Sequence, residues 1–334
     1  MARAIKAENI VAAGFLVFAF TLPLFKGAYS VSMFAHYYIV AILALSMSLV
    51  WGYCGVFSFG AAAFYGVGAY AYAILSLSAG ETALTPLYML VAVLISTLLA
   101  AVIGYFMFYG GINDVFVALI TLCVSLVLET FMAQTAGSQW SIAGVQLGGY
   151  NGINGIPTIH FGNQAITGIP FYYFVLFILL AVYIVLRMIK HRKAGYTLIA
   201  IRENRARSLL FGYNIEFIQM IVFALGGTVA GMAGVLYTAW GGYITPNSMG
   251  LIQATIPVVI VAAGGRKNMT AALVFAVIYA WFTQTLSATG SEYGNIIVGV
   301  SLIIAILFVP NGFIVAVFDW IDKFIGWATG KKKG

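Results

Sequence analysis

The residues best equipped for chemistry in this chain do not assemble into a reaction centre. His36, His160 and His191 fall in separate segments with no metal-ligand spacing. Cys54 and Cys123 both lie in apolar runs, where a small thiol is ordinary packing rather than half of a disulfide or a metal site. No Gly-x-x-x-x-Gly-Lys-Ser/Thr occurs, and Gly330-Lys331 is followed by Lys332, so the chain has no loop of that kind to cradle ATP phosphates. No set for a hydrolase triad or an intramembrane protease dyad is present either. The remaining chemistry is that of passage. Glu129 follows Asp114 by about four helical turns, which sets a carboxylate in the far half of an apolar span. It suits a solute ammonium or amide, or a structural bond to a neighbouring helix. Glu216 falls nearer a span end, where an interfacial role is expected. A carrier coupled to protons or sodium needs a clearer set of mid-membrane acids.

Irregular backbone supplies the second resource. From Gly27 to Gly80 there is no charged residue, and in the middle an apolar run gives way to Trp51-Gly52-Tyr53-Cys54-Gly55-Val56-Phe57-Ser58-Phe59-Gly60. Lipid offers no partner to backbone groups in a turn, so such a turn survives only against protein or a water-filled path. Tyr53, Ser58, Gly60, Phe64 and Gly66 are therefore, with Glu129, the candidates to line a route. Gly226, Gly227, Gly231 and Gly234 recur at helical-face spacing, which fits close helix packing.

These residues need a membrane scaffold. The chain is 63% hydrophobic and 7% charged, against about 25% charged in ordinary soluble domains. Apolar runs give ten candidate spans, at about 9–25, 31–51, 56–78, 86–109, 113–136, 170–189, 214–240, 250–264, 269–288 and 292–310. The expected fold is all-α, one transmembrane helical bundle over residues 1–334. The block Arg187, Lys190, Arg192, Lys193, Arg202, Arg205 and Arg207 marks the cytoplasmic side. Alternation from it puts both termini in the cytoplasm and leaves only Lys26, of 16 Lys and Arg, outside. The formal charge of +7 is thus a topological bias with some attraction to anionic membrane lipid, not a sign of nucleic acid. An inverted repeat of spans 2–5 on 7–10 would match the Gly52–Gly60 turn to an external turn at Pro246 and Asn247.

Two segments outside the spans are long. Residues 137–169 are rich in Gly, Asn, Gln and Ser, and their Trp140, Tyr150 and interleaved Ile suit a packed face that receives a partner. Residues 190–213 read as an amphipathic helix from Thr197 to Phe211, with Leu198, Ile201, Leu209 and Phe211 apolar and Gly212 as the stop. Such a helix either lies on the membrane or docks a partner. The residues alone leave an ATP-driven carrier, an autonomous channel or secondary carrier, and a membrane enzyme without a catalytic set.

Four motifs narrow this choice. They are Gly52-Tyr53 through Tyr70, Gly148 to Pro157, Ala200-Ile201-Arg202-Glu203-Asn204 with Gly212, and Ala230-Gly231-Met232-Ala233-Gly234-Val235-Leu236-Tyr237. In this order the chain resembles the permeases of bacterial ABC importers for branched-chain amino acids and for urea or short amides. The resemblance implies a multi-pass inner-membrane subunit that works with a homologous permease, two cytoplasmic ATPases and a periplasmic solute-binding protein. It binds no cofactor itself, ATP being held by the partners. Arg202, Glu203, Asn204 and Arg205 would form the ATPase-coupling helix, and Tyr150, Asn151 and Asn154 the face for the binding protein. The family's polar His or Gln after the glycine of the turn is Ala61 here. The family's basic residue ahead of the fifth span is replaced by Ile112-Asn113-Asp114.

Overall fold

The computed structural model describes residues 2–162, 164–288, 299–300 and 312–328. Its helices follow the apolar runs: α1 (Ala2–Phe25), α2 (Ala28–Met47), α3 (Ala61–Ala79), α4 (Thr85–Tyr109), α5 (Asp114–Ala133) and α6 (Ile169–His191). Two short helices follow, α7 (Lys193–Glu203) and α8 (Arg205–Leu210), then α9 (Ile215–Gly241), α10 (Leu251–Gly264), α11 (Met269–Ala288) and α12 (Phe313–Ala328). Among the described residues, eight helices are long and apolar enough to cross a membrane, and α10 is a shorter apolar one. At about 1.5 Å per residue α10 reaches only about 21 Å, short of a bilayer core of about 30 Å. The expected tenth span, about 292–310, lies outside the described residues. The helix α12 has no counterpart in the span reading. It lies at the end of the bundle, with Ile314 and Phe318 packed on Ala7 and Ala271 and Trp320 exposed.

The longest helix, α9, and the well-buried α2 form the centre. α9 packs on α3 and α4, while α2 packs on α10 and α11, and the two central helices touch each other. This exchange is the pairing that an inverted repeat of α2–α5 on the second half would produce. Small residues permit the closest crossing: a Cβ at Gly234 would collide with the Tyr65 carbonyl of α3, and one at Gly68 would lie 2.6 Å from the Gly231 carbonyl. Polar side chains bind the same crossing. Ser96 of α4 donates to the Phe64 carbonyl at 2.9 Å and reaches the Gly227 carbonyl at 3.1 Å, and Thr97 meets Thr228 at 2.8 Å. Such interhelical bonds are worth about 0.6 kcal/mol each in a membrane, so close packing carries most of the crossing.

The two ends differ in chemistry. One collects Glu8, Asn9, Tyr53, the α6 basic residues, α7 and the Gly265–Asn268 turn. There Lys190 pairs with Glu8 at 3.8 Å and Tyr53 donates to the Lys267 carbonyl at 3.3 Å. The opposite end carries residues 134–168, whose five short strands, together with one from the chain before α10, form three antiparallel pairs among the described residues. β1 (Ser141–Ile142) pairs with β2 (Val145–Gln146), β3 (Ile153–Asn154) with β6 (Tyr243–Ile244), and β4 (His160–Phe161) with β5 (Gln164–Ala165). Val145, Leu147, Ile153, Ile156 and Ile159 are buried beneath it. Tyr72 donates to the Pro157 carbonyl at 3.1 Å, anchoring the loop to α3.

Candidate functional site

The glycine turn is built from a register change. At Ser48–Tyr53 the last turn of α2 widens into a π-helix, and the chain then bends through Gly55 at φ +84°. Such widened turns recur at functional sites. The backbone then runs back among the helices, and α5 satisfies it. Thr121 accepts from the Phe59 amide at 3.0 Å, Ser125 donates to the Phe59 carbonyl at 3.4 Å, and Ser58 accepts from the Gly60 amide at 3.0 Å. Protein side chains thus meet part of the need that the glycine-rich sequence creates.

The candidate route residues do not share one opening. Tyr53 is buried at the basic end with Lys190 5.6 Å from its ring centre. Ser58 and Phe64 line a space of ≈ 10 Å³ with Ser46 and Gly226, room for about one water. Gly60 is hemmed by Phe64, Ser58 and Thr121 at 3.2–3.3 Å from the place of a Cβ, and Gly66 is covered by Met249. Glu129 stands apart, its carboxylate 2.6 Å from where a Cβ on Gly250 would be. Gly250 is the N-cap of α10, so the positive end of that helix faces the acid.

A larger cavity, ≈ 730 Å³, opens between α2, α10 and α11 and is walled by Tyr65, Tyr237, Asn247, Ser248, Gln253 and Gln284 among others. Its described lining contains no Asp, Glu, Lys or Arg. Span reading missed it because it weighed ionised groups. The usable signal was the amides Asn247, Gln253 and Gln284 within apolar sequence. The turn at Pro246 and Asn247 is a 3-10 segment (Pro246–Met249) that follows β6 at the end carrying the 134–168 loop, with Pro246 and Met249 buried and packed on α3 and α5.

At the basic end, the single amphipathic helix expected over Thr197–Phe211 is two helices. Asn204 is extended at φ −158° and its side chain accepts from the Arg207 amide at 2.9 Å, capping α8. That asparagine ends one helix and starts the next. Leu198 and Ile201 are buried as expected, whereas Leu209 and Phe211 are 48% and 81% exposed, with Leu210 at 88%. Arg202 turns inward: its guanidinium donates to the Gly52 carbonyl, and its Cγ would be 2.8 Å from a Cβ on Gly55. Glu203 accepts from Arg202 at 2.7 Å and from Lys267 at 3.4 Å, and those hydrogen bonds hold its carboxyl below the usual range. Arg205 reaches Glu216 at 3.5 Å. Arg266 lies 4.6 Å from the Trp51 ring centre, and burial with Arg202 nearby pulls its pKa down. The helix pair, the glycine turn and the end of α10 thus meet at one point.

At the opposite end Tyr150 is 66% exposed and Asn151 and Asn154 are exposed beside it. They sit on a rigid support, since Ile153 pairs with Ile244 and a Cβ on Gly152 would collide with the Ile244 carbonyl.

Comparison with known proteins bears on this arrangement. Residues 29–306 match the family described as branched-chain amino acid transport system / permease component. The chain belongs to that family. It is 23% identical over 332 residues to the high-affinity branched-chain amino acid transport system permease protein LivM of Escherichia coli K12, covering 91% of this chain and 74% of that protein. LivM of Salmonella typhimurium is likewise 23% identical, over 95% of this chain and 77% of its own. The ribose import permease protein RbsC of Escherichia coli K12 is 28% identical over 36% of this chain and 40% of its own. No solved structure matches. The permease is a multi-pass protein of the inner membrane, with helices long enough to span it.

Proposed function

We propose that this permease is one membrane subunit of an ATP-driven importer, with its basic end in the cytoplasm and the 134–168 loop outside. A homologous permease completes the pathway, two cytoplasmic ATPases drive it, and a periplasmic binding protein docks over Tyr150, Asn151 and Asn154. The solute is small and zwitterionic, of the branched-chain amino acid class, in keeping with the LivM relatives. The neutral lining of the ≈ 730 Å³ cavity favours a second reading, a neutral amide such as urea.

One observation carries the coupling role. Arg202 reaches from the exterior helix α7 to Gly52, at the root of the irregular turn. Push on α7 is therefore delivered to backbone that continues between the helices. Leu210 and Phe211 project beyond the ion-paired head, as an element seated in a partner's groove requires. The test is retention of the ATPases on the solubilised permease complex, with the Arg202→Glu/Arg205→Glu double variant beside wild type. Loss of the ATPases from a variant that still migrates as a folded species supports docking. Retention, or solute flux through liposomes holding the chain alone, returns the case to an autonomous channel or secondary carrier. A panel of amino acids and amides titrated against the partner binding protein separates the two solute classes.

A further inference from the structure

An apolar groove runs between α1, α6 and α11 on the outside of the bundle, with a volume of ≈ 640 Å³. Phe15 and Leu16 of α1, Leu180 and Met188 of α6, and Leu273 and Val274 of α11 line it, almost wholly with carbon. α1 leans on the bundle lightly. The end of α1 is held by Tyr172 and Tyr173, whose hydroxyls donate to the Ala19 and Phe20 carbonyls. Its start is held by Arg187 and Lys190 through Asn9 and Glu8. Between those ties the groove separates α1 from its neighbours.

All the polarity of the groove is at its basic end, and the donors there run in one direction. Thr270 donates to Glu8 at 2.8 Å, which leaves Tyr183 to donate to Thr270 at 2.6 Å and Arg187 to donate to Tyr183 at 3.0 Å. Lys190 neutralises Glu8 at 3.8 Å. Arg187 donates to neutral oxygens, those of Tyr183 and Asn9, lies 5.7 Å from the Tyr183 ring centre, and has no ion pair among the described residues. Its charge stands at the mouth, next to exposed His191, Arg192 and Lys193. Glu8, the carboxylate of this hydrogen-bonded cluster, is already paired with Lys190.

We propose that this groove binds an anionic phospholipid, its acyl chains between α1 and α11 and its phosphate on Arg187 with His191. Apolar lining capped by uncompensated positive charge at the membrane surface is complementary to that molecule and to no neutral lipid in particular. The lipid would fasten α1 to the bundle.

The experiment uses the purified full chain, exchanged through detergent and returned to nanodiscs of phosphatidylglycerol or of phosphatidylcholine. Native mass spectrometry counts the retained lipid, and thermal unfolding gives a midpoint in each bilayer. Wild type is expected to keep phosphatidylglycerol at least fivefold over phosphatidylcholine and to unfold at higher temperature in it. R187Q should bring that ratio close to one. Ala12→Trp, which fills the groove and leaves the charges in place, should remove retention of both lipids. Equal retention of the two lipids by wild type, or a preference that survives both variants, overturns the proposal. So does a protein helix, found by cross-linking from the groove in the assembled complex, in place of lipid.

Discussion

Substituting Gly55 with alanine tests the joint between α7 and the glycine turn. Gly55 holds φ +84°, a conformation that costs an L-residue about 1–2 kcal/mol. The added Cβ would also stand 2.8 Å from Arg202 Cγ and 3.2 Å from Arg202 Cα. The Cγ can rotate away, but the Cα is backbone, so α7 must lift by a few tenths of an ångström. Overpacking of this kind costs about 1–3 kcal/mol. Gly212 supplies the control, since it holds φ +80° with nothing within 4 Å of the Cβ position. Gly212→Ala should therefore lose only the conformational part, about 1–2 kcal/mol. Gly55→Ala should lose about 2–5 kcal/mol, the sum of the two effects. Midpoints of thermal unfolding for wild type and the two variants, in one detergent, give the order, and ATPase retention by the assembled complex gives the functional half. Gly55→Ala should have the lower midpoint and should weaken retention, while Gly212→Ala keeps it. Equal midpoints and equal retention would mean that α7 does not rest on the turn.

Two further changes probe the same region. Thr121→Val removes the acceptor of the Phe59 amide while keeping the shape, and an orphaned buried donor costs about 1–3 kcal/mol; Thr121→Ser should restore the unfolding midpoint, and a Val variant as stable as wild type would show that the bond does not hold the turn. Glu203 titrates below the ordinary carboxylate value of 4.5 because Arg202 and then Lys267 hydrogen-bond its charged form. A depressed pKa contributes stability above the unfolded value and loses it as pH falls through the folded one. The Arg202–Glu203–Lys267 contact should therefore persist unchanged from pH 8 to about 5, and a carboxyl NMR titration of Glu203 centred at or above 4.5 would contradict the hydrogen-bonded geometry.

The membrane-spanning helices were legible because lipid leaves a chain few options: long apolar runs must become helices, and their ends follow Gly, Asn and basic residues. Legibility failed where tertiary partners decide. The run 250–264 becomes α10 within a residue of its expected bounds, but the sequence does not show that the chain before it is bound as β6 to the strand of Ile153 and as a buried 3-10 turn over α5. Periodicity joined α7 to α8 because Asn204 is tolerable in a helix, and only its cap on Arg207 shows the break. The amphipathic α12 was passed over because Asp319, Asp322 and Lys323 cut its apolar run below the length of a span, and part of its apolar face is completed by Ala7 and Ala271, far away in sequence. The candidate route residues, chosen by type, do not group in one place. Ser58, Gly60 and Phe64 meet α5 and α9, whereas the polar cavity draws on Asn247, Gln253 and Gln284 from other elements.

The contacts around α7 close into a loop, and that closure bears on how a push would travel. From Arg202 one branch enters the turn at Gly52 and Gly55 and reaches α5 through Thr121 and Ser125. α5 then carries it about 12 Å along its axis, from Thr121 to Glu129, where the carboxylate abuts Gly250 at the start of α10. The other branch leaves Glu203 through Lys267, beside the Gly265 cap that ends α10. Both ends of α10 thus connect to α7, one through the turn and α5, the other through Lys267 in the turn that follows α10. On the import reading, a tilt of α10 would be accompanied by a shift of the turn, because the two share contacts through α5 and α7. α10 is also one wall of the polar cavity, through Gln253 and Ile256. On the import reading, displacement of α7 by an ATPase would therefore change the cavity and the glycine turn in a single step, which is what alternate exposure of a solute to two sides of a membrane demands.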